Sequence, residues 1–222
     1  MVNKADAMTK IIYIHVPKCG GSSFGAALRL RYLLSQSSID LTQNHGQRRT
    51  QLRQLITRGT KMIAGHVQYD PHLHAQIARD YAFVTLLRDP VERFVSHYNY
   101  VQRHHPDPNR APTLEAYVNT PDAHRLATQY LFYFAGNCPP GTDPVAQAIS
   151  NLGRFSVVGR LDDPQTFARQ LKTLIGTPLP RWRRNTAPNP TQVPADLRAR
   201  IEQLCAPDIR IYQALHGYRE AA

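Results

Sequence analysis

Residues 15–23, HVPKCGGSS, place a lysine, two glycines and two serines directly after the apolar run Ile11, Ile12, Tyr13, Ile14. Those residue types suit an anion. Gly20 and Gly21 let backbone N–H groups approach a phosphate closely, Ser22 and Ser23 add hydroxyls, and Lys18 brings a mobile positive charge. In the nucleotide-hydrolase loop G-x-x-x-x-G-K-[ST], the lysine follows the last glycine and the next hydroxyl binds magnesium. Here the lysine comes first. The apolar stretch YAFVTLLR also ends in Arg88 before Asp89, which leaves no convincing acidic strand end for a metal. The order predicts a loop that handles phosphate with lysine, hydroxyls and amides, and without a metal.

A second block, LLRDPVERFVSHY (residues 86–98), carries Arg88, 70 positions after Lys18, together with Arg93 and Ser96. An arginine at a strand end can present its guanidinium fork to a phosphate, with Ser96 and Arg93 on one side of the helix that follows. The competing reading pairs Arg88 with Glu92 at the surface and leaves Ser96 to solvent. The phosphate loop upstream favours the anion site. His66, in MIAGHVQYD, ends another apolar run, and imidazole titrates near neutral pH, so it is the best-placed general base. His72 and His74 could join it as zinc ligands, but neither cysteines nor an H-E-x-x-H spacing accompanies them, and no metal is expected.

These residues need strands to carry them. Residues 10–15, 61–66, 81–88 and 155–159 read as core strands, short and rich in β-branched and aromatic residues. Helical spacing starts at Ser22 and again after the Asp89-Pro90 cap pair, through Val91, Phe94, Val95, Tyr98 and Val101. Further helices are expected at 123–134, 145–152, 164–175 and 195–216, the last breaking at Pro207, with loops at 104–112 and 176–194. The segment SQSSID reads as a polar connection. Strands alternating with helices imply an α/β fold of three layers, P-loop-like, with a central, mostly parallel sheet flanked by helices.

The 222 residues and 42% hydrophobic content fit one domain spanning residues 1–222 and exclude global disorder. A net charge of +11 and pI of about 9.9 point to an anionic partner: nucleic acid, a phosphorylated cofactor, an acidic glycan or an anionic membrane surface. The densest basic groups are Arg48-Arg49 and Arg181 to Arg184, and no nucleic-acid motif accompanies them. Cys19, Cys138 and Cys205 are too scattered for a disulfide framework, which suggests a reducing compartment. No run of eighteen apolar residues and no signal peptide is visible, so the expected address is cytoplasmic.

The stretch IIYIHVPKCGGSSF resembles the 5′-phosphosulfate-binding loop of the sulfotransferases that use 3′-phosphoadenosine 5′-phosphosulfate (PAPS). It is most similar to the carbohydrate, heparan/uronyl branch, whose loop reads close to H-[IV]-P-K-[TC]-G-G-[ST]-S. LLRDPVERFVSHY resembles that family's 3′-phosphate segment, R-D-P-x-x-R-x-x-S, at every specified position. The resemblance implies that Lys18, Cys19, Gly20, Gly21, Ser22 and Ser23 hold the 5′ end of PAPS, and that Arg88 and Ser96 hold its 3′-phosphate. Cys19 stands where threonine is common, which argues against a nucleophile, and His15 is a family-typical packing residue. Weaker likenesses lie in FSVVGRLDD, in APDIRIYQALHGY and in RRNTAP, the last adding Arg184 and Asn185 to the cofactor contacts. A G-H-V element carries the proposed catalytic histidine of relatives that sulfate uronic acids and matches His66. Around HRLATQYLFYFAG the family's N-x-Q-T-R pattern is absent, with Arg125, Ala127 and Gln129 in its place, so acceptor contacts do not carry over.

The expected activity is transfer of the sulfuryl group of PAPS to an acceptor hydroxyl, on a glycan or glycoconjugate, by in-line displacement, leaving PAP. Lys18 would offset charge on the leaving oxygen and His66 would take the proton. Tyr98, Tyr100 and Tyr130 would form core or pocket walls, able to stack adenine or sugar. Two alternatives stay open: a magnesium-dependent kinase or nucleotide hydrolase, and a binding protein that keeps the pocket without catalysis.

Overall fold

In the computed structural model, which describes residues 9–39, 42–105, 107–179 and 192–217, β1 (Lys10–Ile14) lies at the centre of the sheet. Its side chains alternate between two cores, Ile11 and Tyr13 into one, Ile12 and Ile14 into the other. Burial on both faces is why KIIYI reads as a continuous apolar run. Around it stand β2 (Gln36–Ser38), β3 (Met62–Gly65), β4 (Tyr81–Leu87) and β5 (Val157–Arg160), in the order β2-β3-β1-β4-β5. Every pairing is parallel. The buried Thr85 hydroxyl donates to the Ile14 carbonyl at 2.9 Å, which ties β4 to β1 near their carboxyl ends.

One face of the sheet is covered by α1 (Gly21–Arg31) and α9 (Pro164–Ile175), through Phe24, Leu28, Phe167 and Leu171. The other face carries α2 (His45–Thr57), α3 (Pro71–Ile77), α7 (Gln129–Phe134), α8 (Pro144–Leu152) and α11 (Ala206–Gly217). A third cluster is built from helices alone: α4 (Pro90–His104), α5 (Leu114–Tyr117), α6 (Pro121–Ala127) and α10 (Ala195–Leu204). This is the three-layer α/β arrangement. From β1 the chain moves to β2 and β3 on one side, then crosses to β4 and β5 on the other. The strand order therefore reverses between β1 and β4, and in such sheets ligands bind at the carboxyl ends of that point.

Four elements are absent from the sequence reading because their apolar signal is weak. β2 is a three-residue polar edge strand, α2 buries only Leu52 and Leu55, α3 has seven residues and α5 has four. Their caps are clear nonetheless: Asn44 and Gln47 form a reciprocal capping box, and Asp70 caps α3 ahead of Pro71. The helix expected at 123–134 breaks at Thr128 into α6 and α7. The terminal break falls at Cys205, so Pro207 sits in the first turn of α11, where its missing N–H costs no hydrogen bond. Among the described residues, no helix is long and apolar enough to cross a membrane.

Candidate functional site

The loop after β1 reaches α1 through two left-handed residues, Lys18 (φ 66°) and Gly20 (φ 76°). For Lys18 that conformation is strained, and such strain persists where the surroundings over-determine it. Gly20 is the N-cap of α1, no side chain caps the helix, and its first turn holds no acid. By contrast, Asn44, Asp70, Asp89, Thr113, Thr120, Asp143 and Asp163 cap α2 to α6, α8 and α9. The first-turn amides of α1, those of Gly21, Ser22 and Ser23, are thus left with the partial positive charge that attracts an anion.

Gly21 is dictated by a neighbour. A Cβ at this position would lie 1.8 Å from Nε2 of His15, so the His15 imidazole occupies the space a side chain would need. That ring stacks on Tyr13 (5.5 Å between centroids) and lies 4.4 Å from the His66 ring. Burial, the His66 ring and Arg29 hold the His15 pKa down to about 3.

His66 follows β3 and is 8% exposed. Its Nδ1 lies 3.4 Å from the Tyr133 hydroxyl, and its ring also hydrogen-bonds the His15 backbone. Burial first, then the nearby Arg48 guanidinium, lower its pKa to about 4. The imidazole is therefore neutral near pH 7. Arg48 also donates to the His66 carbonyl at 3.1 Å, which fixes the chain there. Exposed Phe132 lies edge-on to His45 (5.0 Å) and next to Tyr133 (5.2 Å), on the rim beside His66.

The second block follows β4, the strand that pairs with β1. Arg88 follows β4, with its side chain 28% exposed and 3.6 Å from Glu92, which Arg198 approaches at 3.5 Å. The surface pairing considered from sequence does form. Ser96, half-buried, sits two turns along α4. The Lys18 ammonium lies over the Tyr100 ring at 4.0 Å, and partial burial together with Arg88 and Arg103 lowers its pKa. Neither Lys18 nor Arg103 forms an ion pair among the described residues. His97, one residue beyond Ser96, feels Arg93, Lys18 and Arg110, and its pKa is down to about 4, chiefly by burial.

The two blocks are joined from beneath by Tyr130. Its hydroxyl accepts from the Arg88 amide (2.9 Å), donates to the Arg88 carbonyl, and lies 3.5 Å from Cys19 Sγ. Cys19 is fully buried, and burial pushes its thiol pKa up, so the position packs and does not attack. Arg93, wholly buried, donates to the Leu126 carbonyl and lies 3.8 Å from Asp208, whose carboxylate accepts from the amides of Tyr130 (2.8 Å) and Leu131 (3.0 Å). Asp208 belongs to the stretch APDIRIYQALHGY, and its neighbour Tyr212 accepts from Arg160 Nε at 3.2 Å. The weakly similar stretches FSVVGRLDD and APDIRIYQALHGY thus meet in space.

The structure brings together Lys18, Cys19, Gly20, Gly21 and the backbone of Ser22 and Ser23 with Arg88 through Tyr130, and links His66 to the loop through His15. Arg184 and Asn185 lie outside the described residues. His74 packs on Phe83 (4.7 Å) and Tyr69 (5.6 Å) as a core ring, and among the described residues no group of three His, Cys, Asp or Glu side chains converges. The sequence reading passed over His97 and Arg103 beside Lys18, although both follow Arg93 at helical spacing.

A parallel α/β sheet with an uncapped, glycine-led helix at its switch point is an architecture that handles phosphorylated ligands. The Sulfotransferase family model matches residues 4–130, more than half of the chain, and the protein belongs to that family. Galactose-3-O-sulfotransferase 3 of Mus musculus and of Homo sapiens are each 31% identical to it over 84 residues, 36% of this chain. The match spans 20% of the length of those relatives. In fold the chain is similar to a crystal structure of a sulfotransferase from Alicyclobacillus acidocaldarius, with a TM-score of 0.54 and 18% identity, covering 94% of this chain and 96% of that one.

Proposed function

We propose that the protein moves the sulfuryl group of PAPS to a hydroxyl of a carbohydrate acceptor. The observation that carries this reading is the Tyr130 bridge, whose hydroxyl contacts both the phosphate-type loop, at Cys19, and the strand-end Arg88 backbone. PAPS, when bound, supplies a sulfuryl group on a good leaving group, PAP. The residues fit a doubly phosphorylated donor: an uncapped helix start with Lys18 in one block, Arg88 and Ser96 in the other, and Arg103 near Lys18, neither Lys18 nor Arg103 having a carboxylate partner among the described residues.

In this reading the amides of Gly20 to Ser23 cradle the 5′-phosphate, with Cys19 packing beneath them, and Lys18 offsets charge that builds on the leaving oxygen. Arg88 and Ser96 bind the 3′-phosphate and so fix the register of the donor. His66, neutral above about pH 4, takes the acceptor proton, and the Tyr133 hydroxyl beside Nδ1 orients the ring. The exposed Phe132 ring next to it offers a face for sugar C–H groups, in line with the carbohydrate substrate named for the galactose relatives. Arg184 and Asn185 remain proposed cofactor contacts on the strength of the sequence resemblance.

The test is transfer of labelled sulfuryl from PAPS to a panel of glycans, lipids and small alcohols. Label should enter a glycan without added magnesium. His66→Ala should lower transfer by about 10²-fold or more while leaving PAP affinity unchanged. ATP turnover with magnesium and no response to PAPS would overturn the reading.

A further inference from the structure

Five large apolar side chains are exposed among the described residues, and three of them fall together: Leu30 (58% exposed), Leu33 (69%) and Leu34 (103%). The other two, Tyr100 and Phe132, border the crevice. The leucines occupy the end of α1 and the turn into edge strand β2, at the amino ends of the strands, opposite the crevice.

The same end of the sheet is cationic. The Lys61 amide donates to Ser35 Oγ and the Met62 amide to the Ser35 carbonyl, both at 3.0 Å, so the α2–β3 connection lies beside the leucine turn. That connection carries exposed Arg58 and Lys61. The α3–β4 connection adds Arg79 and Asp80, the α8–β5 connection Arg154, the start of β1 Lys10, and the last turn of α9 Lys172. Six cations thus face one carboxylate on this rim, and none of the six forms an ion pair among the described residues.

A second copy of the chain fits poorly there, because a two-fold contact would set these cations against their own images. The leucines protrude from a turn and do not line a groove, which suits a soft apolar medium better than a shaped protein pocket. Protruding leucines beside Arg58 and Lys61, on a rim whose cations outnumber its carboxylates, match a bilayer whose headgroups are anionic.

We propose that this rim is a docking surface for an anionic lipid bilayer. Leu30, Leu33 and Leu34 enter the boundary between headgroups and acyl chains, and Arg58, Lys61 and their neighbours face the lipid phosphates. Docked in this way, the protein holds its crevice away from the bilayer and open to an acceptor. The inference does not depend on sulfuryl transfer.

The test is sedimentation of the full chain with vesicles of phosphatidylcholine, alone or with phosphatidylglycerol. Wild type should pellet with the anionic vesicles, and raised salt should weaken it. The triple variant Leu30→Ser, Leu33→Ser, Leu34→Ser and the double variant Arg58→Ser, Lys61→Ser should each bind about tenfold or more weakly. Both variants should keep the wild-type unfolding midpoint, since all five side chains are at the surface. The proposal fails if wild type stays in the supernatant with anionic vesicles, or if the triple variant pellets as wild type does. It also fails if wild type is a dimer that the triple variant dissociates while no vesicle binding is seen.

Discussion

The Tyr130 hydroxyl grips the Arg88 backbone from both sides, accepting from its amide at 2.9 Å and donating to its carbonyl. Burial raises the Tyr130 phenol pKa well above its ordinary value, so the proton needed for donation stays in place. Because Cys19 Sγ lies 3.5 Å from the same oxygen, one buried hydroxyl holds the phosphate loop in register with the strand end that carries Arg88. Tyr130→Phe should strand the Arg88 amide and cost about 1–3 kcal/mol in urea unfolding. PAP affinity should fall with it, although Tyr130 itself does not reach the crevice. Unchanged stability and unchanged affinity would separate the two blocks.

Gly21→Ala tests the wedge of His15 against α1. The new Cβ would lie 1.8 Å from Nε2, and the ring has Tyr13 and His66 behind it, so the substitution should destabilise by about 1–3 kcal/mol. In a His15→Ala background the same change should cost much less. An equal cost in both backgrounds would assign the effect to something other than this contact.

Acid should weaken the fold early. The pKa values of His15, His66 and His97 are lowered to about 3, 4 and 4, so the unfolded chain takes up their protons first as pH falls below about 6.5. Their stabilising contribution is complete above that pH and is lost on the way down to the folded values. For His66 alone it amounts to about 3 kcal/mol. Asp208, raised to about 6 by burial, works in the opposite direction over the same range, one group against three. Urea midpoints should drop between pH 6.5 and 4, and less steeply in His97→Asn. A flat profile would show that these rings are solvated.

Glu92 competes for Arg88. Its carboxylate lies 3.6 Å from that guanidinium and also serves Arg198, so Glu92→Gln should free Arg88 for an anion. PAP affinity should rise by about two- to fivefold at low salt, the scale of an exposed ion pair, with less gain in high salt. Weaker binding would mean that Glu92 orients Arg88 and does not hold it back.

The parallel sheet and the two blocks were legible because both rest on short-range signals: apolar runs buried on two faces, glycines beside a lysine, and an Asp-Pro pair after a strand. The parts that escaped depend on distant partners. Nothing near Tyr130 or Asp208 in the chain announces that a hydroxyl and a carboxylate will meet Arg88, Cys19 and Arg93 across the crevice floor. His15 read as a packing residue, and it is one. Its consequence, that Gly21 can bear no side chain, needs coordinates. His66 stands out in the sequence by its place after a strand, whereas the burial and the Arg48 charge that lower its pKa need coordinates. The sheet's edge was missed because β2 has a polar, three-residue sequence with no alternation to read.

The central claim is that Lys18 and Arg88 grip opposite ends of one donor nucleotide. Calorimetric titration with PAP, without magnesium, tests it most directly. The account predicts one site per chain, with affinity lowered about tenfold or more in both Lys18→Ala and Arg88→Ala. Absence of binding to wild type, or equal affinity in wild type and both variants, would contradict it.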